Sequence, residues 1–127
     1  MAENKEIIYK ELSYQVLQAV FAVHSTLGPG FSEKIYEEAL IVEFERRGIP
    51  FQRQHPITVY YLGKPIGTYR IDLVVNEKIV LELKAVDKLT DDFKQQTLSY
   101  LKAGHYRLGI LINFRTKSVQ SVRIANG

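Results

Sequence analysis

The stretch Arg70-Ile71-Asp72-Leu73-Val74-Val75-Asn76-Glu77-Lys78-Ile79-Val80-Leu81-Glu82-Leu83-Lys84 decides the fold. It reads as two strands around a polar turn, nearly continuous in apolar content as buried central strands are. Asp72, Glu82 and Lys84 interrupt that run. Strand side chains alternate faces, so Glu82 and Lys84 share one side while Leu81 and Leu83 share the other. The direction of Asp72 depends on the register. A two-residue turn at Asn76-Glu77 sets Asp72 opposite Leu81 and mixes charged with apolar side chains on both faces. A three-residue connection, Asn76 to Lys78, instead pairs Val75 with Ile79, Leu73 with Leu81 and Ile71 with Leu83, giving one wholly apolar face. That register, with Asp72 beside Glu82 on the opposite face, is the one expected.

Two carboxylates at roughly 4.5–5.5 Å Cβ separation repel one another unless a cation or hydrogen-bond donors lie between them. Mg²⁺ or Mn²⁺ resolves the conflict, since hard divalent cations take oxygen ligands and Mg²⁺ commonly uses one or two carboxylates plus water and substrate phosphate. Lys84, on the same face as Glu82, puts an ammonium where it can stabilise charge on a phosphate or help deprotonate a metal-bound water. The plainer alternative is a solvated Glu-x-Lys ion pair of little energetic weight, with Asp72 capping the hairpin. The apolar flanks and the mid-strand position of Glu82 count against it, because an unpartnered carboxylate is costly to bury there.

Working outward, Ile8, Leu12, Val16, Ala19, Val23 and Leu27 recur at helical spacing and predict a first helix from about residue 5 to 26, stopped by Gly28-Pro29-Gly30. Ser32 is the expected N-cap of a second helix over about 32 to 47. Phe51 to Tyr61 alternates as a half-exposed strand, with a turn at Leu62 to Pro65. The decisive hairpin supplies strands over Ile66–Val75 and Lys78–Ala85. A third helix, capped by Thr90 or Asp91, ends at Ala103-Gly104, and strands Arg107–Phe114 and Ser118–Ile124 follow. No linker, repeat or low-complexity segment is in view, so residues 1–127 are expected to form one α/β domain.

The 127 residues, 46% of them hydrophobic, suffice for one core. Cysteine is absent, which excludes disulfides, zinc-thiolate sites and a cysteine nucleophile. His24, His55 and His105 lack ligand spacing and read as structural or surface residues. No apolar run approaches the roughly 20 residues of a membrane span, and MAENKEIIYK lacks the pattern of a signal peptide, so a soluble, cytoplasmic protein is expected. A net charge of +3 permits a polyanionic partner without demanding one.

Asp72 followed by Glu82-Leu83-Lys84 resembles the D…(D/E)xK signature of the PD-(D/E)XK nuclease superfamily, with Ile71 where a proline often stands. Its restriction-endonuclease-like core, helix, three strands, helix, strand, is the order read over residues 32 to 114; the first helix and last strand are additions. Gly30-Phe31-Ser32-Glu33-Lys34-Ile35-Tyr36 resembles the motif naming the GxxExxY proteins of that superfamily. The resemblance implies a mixed sheet flanked by helices and a nuclease acting on nucleic acid, with DNA the expected substrate. Asp72, Glu82 and the carbonyl of Leu83 would be ligands of Mg²⁺ or Mn²⁺, and Lys84 would serve catalysis. It also implies an acidic residue from the preceding helix. Glu33 and Glu37 both qualify because i and i+4 share a helical face, although Glu33 can equally complement the helix dipole. Tyr36 divides between a hydrogen bond in the site and a place in the core.

Gln96 and Tyr100 resemble the QxxxY element of RecB-like members; their spacing sets both on one helical face. Most basic residues read as solvated surface, with Arg70, Lys88 and Lys94 as a subset able to track a nucleic-acid backbone. Two rivals remain: a catalytically silent nuclease-fold module binding nucleic acid or a protein, and an oligomerising module using Tyr60, Tyr61 and Tyr69. So small a domain also makes a homodimer or protein partner plausible.

Overall fold

The computed structural model describes residues 7–127. Three helices and five strands follow in the order α1 (Lys10–Leu27), α2 (Glu33–Arg47), β1 (Phe51–Tyr61), β2 (Lys64–Val75), β3 (Ile79–Lys84), α3 (Asp91–Gly104), β4 (Leu108–Asn113) and β5 (Gln120–Ala125). The first helix thus starts later than the apolar stripe suggests; residues 5 and 6 of that stripe, and most of the N-terminal decapeptide, lie outside the described residues. Ser32 and Thr90 occupy the N-cap positions of α2 and α3, but neither side chain makes the capping hydrogen bond.

The strands form one sheet in sequence order. β3 and β4 run parallel, joined by a crossover through α3, and every other neighbouring pair is antiparallel. Helices α1 and α2 cover one face. Their Val16, Ala19, Val20, Tyr36, Leu40 and Phe44 are buried together with Leu73, Val75, Ile79, Leu81, Leu83 and Phe114. Helix α3 covers the other face over a smaller core, in which Leu101 and Tyr100 meet Ile57, Ile71, Val74 and Val80. The approach of α3 to β4 is close: a Cβ on Gly109 would stand 3.0 Å from Thr97 Cγ2 and 3.2 Å from Leu101 Cδ2. Even a methyl group there requires Thr97 and Leu101 to give by a few tenths of an ångström.

The β2–β3 register is the one with the three-residue connection, pairing Val75 with Ile79 and Leu73 with Leu81. The expected continuation, Ile71 opposite Leu83 on a common apolar face, does not occur. The ladder stops at Leu73 and Leu81, and Ile71 packs in the α3 core while Leu73, Val75 and Leu83 pack under α1 and α2. Residues two apart on a regular strand share a face, so β2 turns over between Ile71 and Leu73, at Asp72. The neighbouring strand is irregular at the same level. β1 pairs Arg53 with Leu73 and His55 with Ile71, leaving Gln54 and Asp72 unpaired between them, and Gln54 has φ 49°. A break through two adjacent strands frees backbone groups that must find other partners.

Candidate active site

The freed groups are satisfied by the carboxylates themselves. The Asp72 N–H donates to Glu82 Oε1 at 3.1 Å, and the Leu83 N–H donates to Asp72 Oδ2 at 2.8 Å. Each acid accepts from the other's strand, which locks the two carboxyl groups side by side where the ladder ends. Glu82 is buried and Asp72 half-buried. Burial, reinforced by the nearby charge of Asp72, pushes the Glu82 carboxyl up to about 8. Asp72 is raised too, first by burial and then by the charges of Glu37 and Glu33, against the lowering effects of the Leu83 N–H and Lys84.

The acids expected from α2 both come to this end of the sheet. Glu33, on the first turn, accepts from the Ala85 N–H at 3.3 Å, just beyond the end of β3. Glu37, one turn later and buried, accepts from Gln54 Nε2 at 3.1 Å and from Arg53 Nη2 at 3.3 Å. Arg53 also pairs with Glu38. Arg53 and Gln54 are therefore what hold Glu37 in place, and sequence reasoning passed over both as ordinary exposed polar residues. The break in β1 at Gln54 was the missing signal, and side-chain alternation does not reveal a single residue of positive φ.

Lys84 is half-buried, with Nζ 4.8 Å from the centre of the Phe93 ring. Tyr100 reaches the site from α3: burial pushes its hydroxyl up to about 12, with further contributions from the charges of Glu82, Tyr69 and Asp72. Gln96, expected beside it, is exposed, and its side chain makes no hydrogen bond among the described residues. Of the QxxxY pair, the structure brings Tyr100 to the carboxylates and leaves Gln96 at the surface. Tyr69, which the sequence offered only as interface material, packs on Tyr100 with ring centroids 4.9 Å apart.

Tyr36 lies elsewhere. Its hydroxyl donates to the Gly28 carbonyl and accepts from the Phe31 N–H, and its ring stacks on Phe114 at 4.3 Å. It ties the loop before α2 to the core, and so fixes where Glu33 begins the helix. Asn113 plays a comparable part on the other side. Fully buried, it accepts from the Val86 and Arg115 N–H groups and donates to the Val86 carbonyl at 2.8 Å, clamping the chain just after Lys84. An open cleft of about 570 Å³ leads away between Gly30–Lys34, Ala85 and Arg115.

Among the described residues, no group of three or more His, Cys, Asp or Glu side chains is arranged to hold an ion. A cation here would rest on two carboxylates with oxygen from backbone, water or substrate, which is how Mg²⁺ is usually held beside phosphates. No helix among the described residues is long and apolar enough to cross a membrane.

No curated protein matches the chain in sequence. Among solved structures, the crystal structure of SSO0001 superposes with a TM-score of 0.58 at 22% identity, covering 94% of this chain and 58% of that one. The chain thus spans less than two thirds of that protein. The alkaline exonuclease LHK-Exo from Laribacter hongkongensis superposes with a TM-score of 0.55 at 10% identity, covering 97% of this chain and 73% of the exonuclease. At these identities the likeness is one of fold. The sequence model of the PD-(D/E)XK nuclease superfamily matches residues 10–124, from the first residue of α1 to the last but one of β5. The chain belongs to the PD-(D/E)XK nuclease superfamily.

Proposed function

We propose that the chain is a metal-dependent nuclease of the GxxExxY group, a single domain that hydrolyses phosphodiester bonds in DNA in the cytoplasm. The observation that carries this reading is the reciprocal hold of Asp72 and Glu82 on each other's strand, with Lys84 two residues on. Two acids forced together in a partly buried place, both raised by burial and by neighbouring negative charge, form a site that a divalent cation relieves.

Asp72 and Glu82, with the carbonyl of Leu83, are the groups that would hold Mg²⁺ or Mn²⁺. Bound there, such an ion supplies Lewis acidity toward a phosphate and lowers the pKa of water. The chain's own residues do the rest. Lys84 faces the charge that gathers on the phosphate during displacement, held by a ring that offers attraction without neutralising the ammonium. The Tyr100 hydroxyl stays protonated at any working pH, so it acts as a hydrogen-bond donor and not as a base. Glu33 and Glu37 add negative charge around the pair and are placed to orient water; Gln96, one turn before Tyr100, borders the approach of the strand.

The test is cleavage of labelled single-stranded, double-stranded and branched DNA with Mg²⁺ or Mn²⁺, comparing the unaltered chain with Glu82→Ala. Cleavage by the unaltered chain that the substitution abolishes is expected. Cleavage that persists in Glu82→Ala removes the carboxylate pair from the mechanism.

A further inference from the structure

The outer part of the β1–β2 hairpin is unlike the rest of the surface. Beyond the break at Gln54 and Asp72, the two strands run on as a ribbon to a two-residue turn at Leu62-Gly63, both with positive φ as tight hairpins require. Neither core reaches the end of this ribbon. Tyr60, Tyr61, Leu62 and Ile66 are 63%, 65%, 84% and 65% exposed. A shallow groove of about 240 Å³ runs past Ile66 and Gly67 to Tyr69, whose ring lies on Tyr100 of the catalytic cluster.

Its charge is one-sided. Between Glu45 and Asp72 the sequence has no aspartate or glutamate. Lys64 near the tip and Arg70 near the base are exposed, and neither pairs with a carboxylate among the described residues. Six residue steps of strand, roughly 20 Å, separate them; Lys64 pairs with Tyr61 on the face that carries Tyr69, and Arg70 with Pro56 on the reverse face. Tyr61, Lys64 and Tyr69 thus set two aromatic rings and a cation along one face, which is what unpaired nucleotides bind, because every base has a face to stack and every linkage a charge. Two cations are too few to hold both backbones of a duplex, and rings cannot reach stacked bases inside one. A second copy of the chain is less suited to this ribbon: Pro56 lies in β1, one of the two edges of the sheet, and withholds the N–H that pairing along this edge needs.

We propose that this ribbon is a binding arm for single-stranded nucleic acid that leads an unpaired strand along Tyr61 and Tyr69, on the face of the ribbon that Ile57 shares, to Asp72 and Glu82. Naming nucleic acid as the occupant rests on the nuclease reading above; the arm adds the substrate class, an unpaired strand.

The arm is tested by fluorescence anisotropy with labelled oligothymidylate and a blunt duplex of equal length, in EDTA so that nothing is cut. The unaltered chain is expected to prefer the single strand, and Tyr61→Ala/Tyr69→Ala to bind it about tenfold or more weakly. Lys64→Gln should flatten the salt dependence by about 0.7 in log–log slope. Calorimetry with Mn²⁺ alone reads the carboxylates without the arm, and should be the same for the unaltered chain and all arm variants. Equal single-strand affinity in the unaltered chain and the double tyrosine variant, or a preference for duplex, overturns the proposal. So does sedimentation showing a dimer that the tyrosine substitutions disperse while strand binding is unchanged, which gives the surface to a second copy. Loss of strand binding in the arm variants from a chain that takes up no Mn²⁺ leaves the arm standing and removes only the metal-nuclease reading.

Discussion

Lys84 rests against Phe93, its ammonium 4.8 Å from the ring centre, and no carboxylate among the described residues forms an ion pair with it. The lysine is thereby positioned by a neutral partner and keeps its charge available. Lys84→Ala is expected to lower cleavage by about a hundredfold or more, the usual cost of removing one preorganised electrostatic group, while Mn²⁺ binding measured by calorimetry and the circular dichroism spectrum stay close to those of the unaltered chain. Phe93→Leu should lower cleavage less, because it loosens the lysine without removing it. Undiminished turnover in Lys84→Ala would count decisively against the mechanism.

The Glu82 carboxyl carries a pH signature. Its pKa in the folded chain, about 8, lies above the ordinary 4.5, so between those values the folded state holds a proton that the unfolded state has released. Stability then falls as pH rises through that window. In EDTA, the melting temperature is expected to decrease from pH 5 to pH 8, and added Mn²⁺ should restore most of it at pH 8, where about half of the Glu82 carboxyls are already ionised and metal binding draws off the remaining proton. Thermal melts across that range check both statements; a melting temperature that rises toward pH 8 without metal contradicts the first.

Glu82→Gln separates charge from hydrogen bonding. The amide oxygen can still accept from the Asp72 N–H, but the buried charge is gone. Without metal at pH 8 the variant should melt higher than the unaltered chain, and calorimetry should find Mn²⁺ affinity reduced at least tenfold. A structural ion-pair role for Glu82 would give the opposite sign for the melt.

Tyr36→Phe keeps the stacking on Phe114 and removes the hydroxyl that joins Gly28 and Phe31. A loss of about 1–2 kcal/mol is expected, since two partly buried hydrogen bonds to the backbone are lost. Denaturant titration measures it. Cleavage under conditions where the variant is fully folded should remain within a few-fold of normal, because the tyrosine sets the start of α2 and does not touch the carboxylates.

Much of this was legible in sequence because hydrophobic alternation and helical spacing depend on local geometry alone. The three-residue connection after Val75 followed from parity, whereas Tyr100 was named only through the resemblance of Gln96 and Tyr100 to a QxxxY element. The side on which Ile71 packs did not follow from parity, because parity assumes an unbroken strand and β2 turns over at Asp72. Gln54 escaped for the same reason: its positive φ is imposed by the neighbouring strand and by Glu37, not by its own chemistry. Asn113 shows the converse limit, since a polar residue at the end of an apolar strand announces burial only once the loop it clamps is known.

The turnover of β2 at Asp72 sets evolution of the sheet against evolution of the site. A sequence drifting toward regular alternation through residues 70 to 75 would extend the ladder, return Ile71 to the larger core and close the gap that the two acids now fill. Such a chain would fold more readily and cut nothing. Stabilising substitutions gathered near this point are thus the ones to suspect in any relative of this chain that has kept its shape and lost its activity.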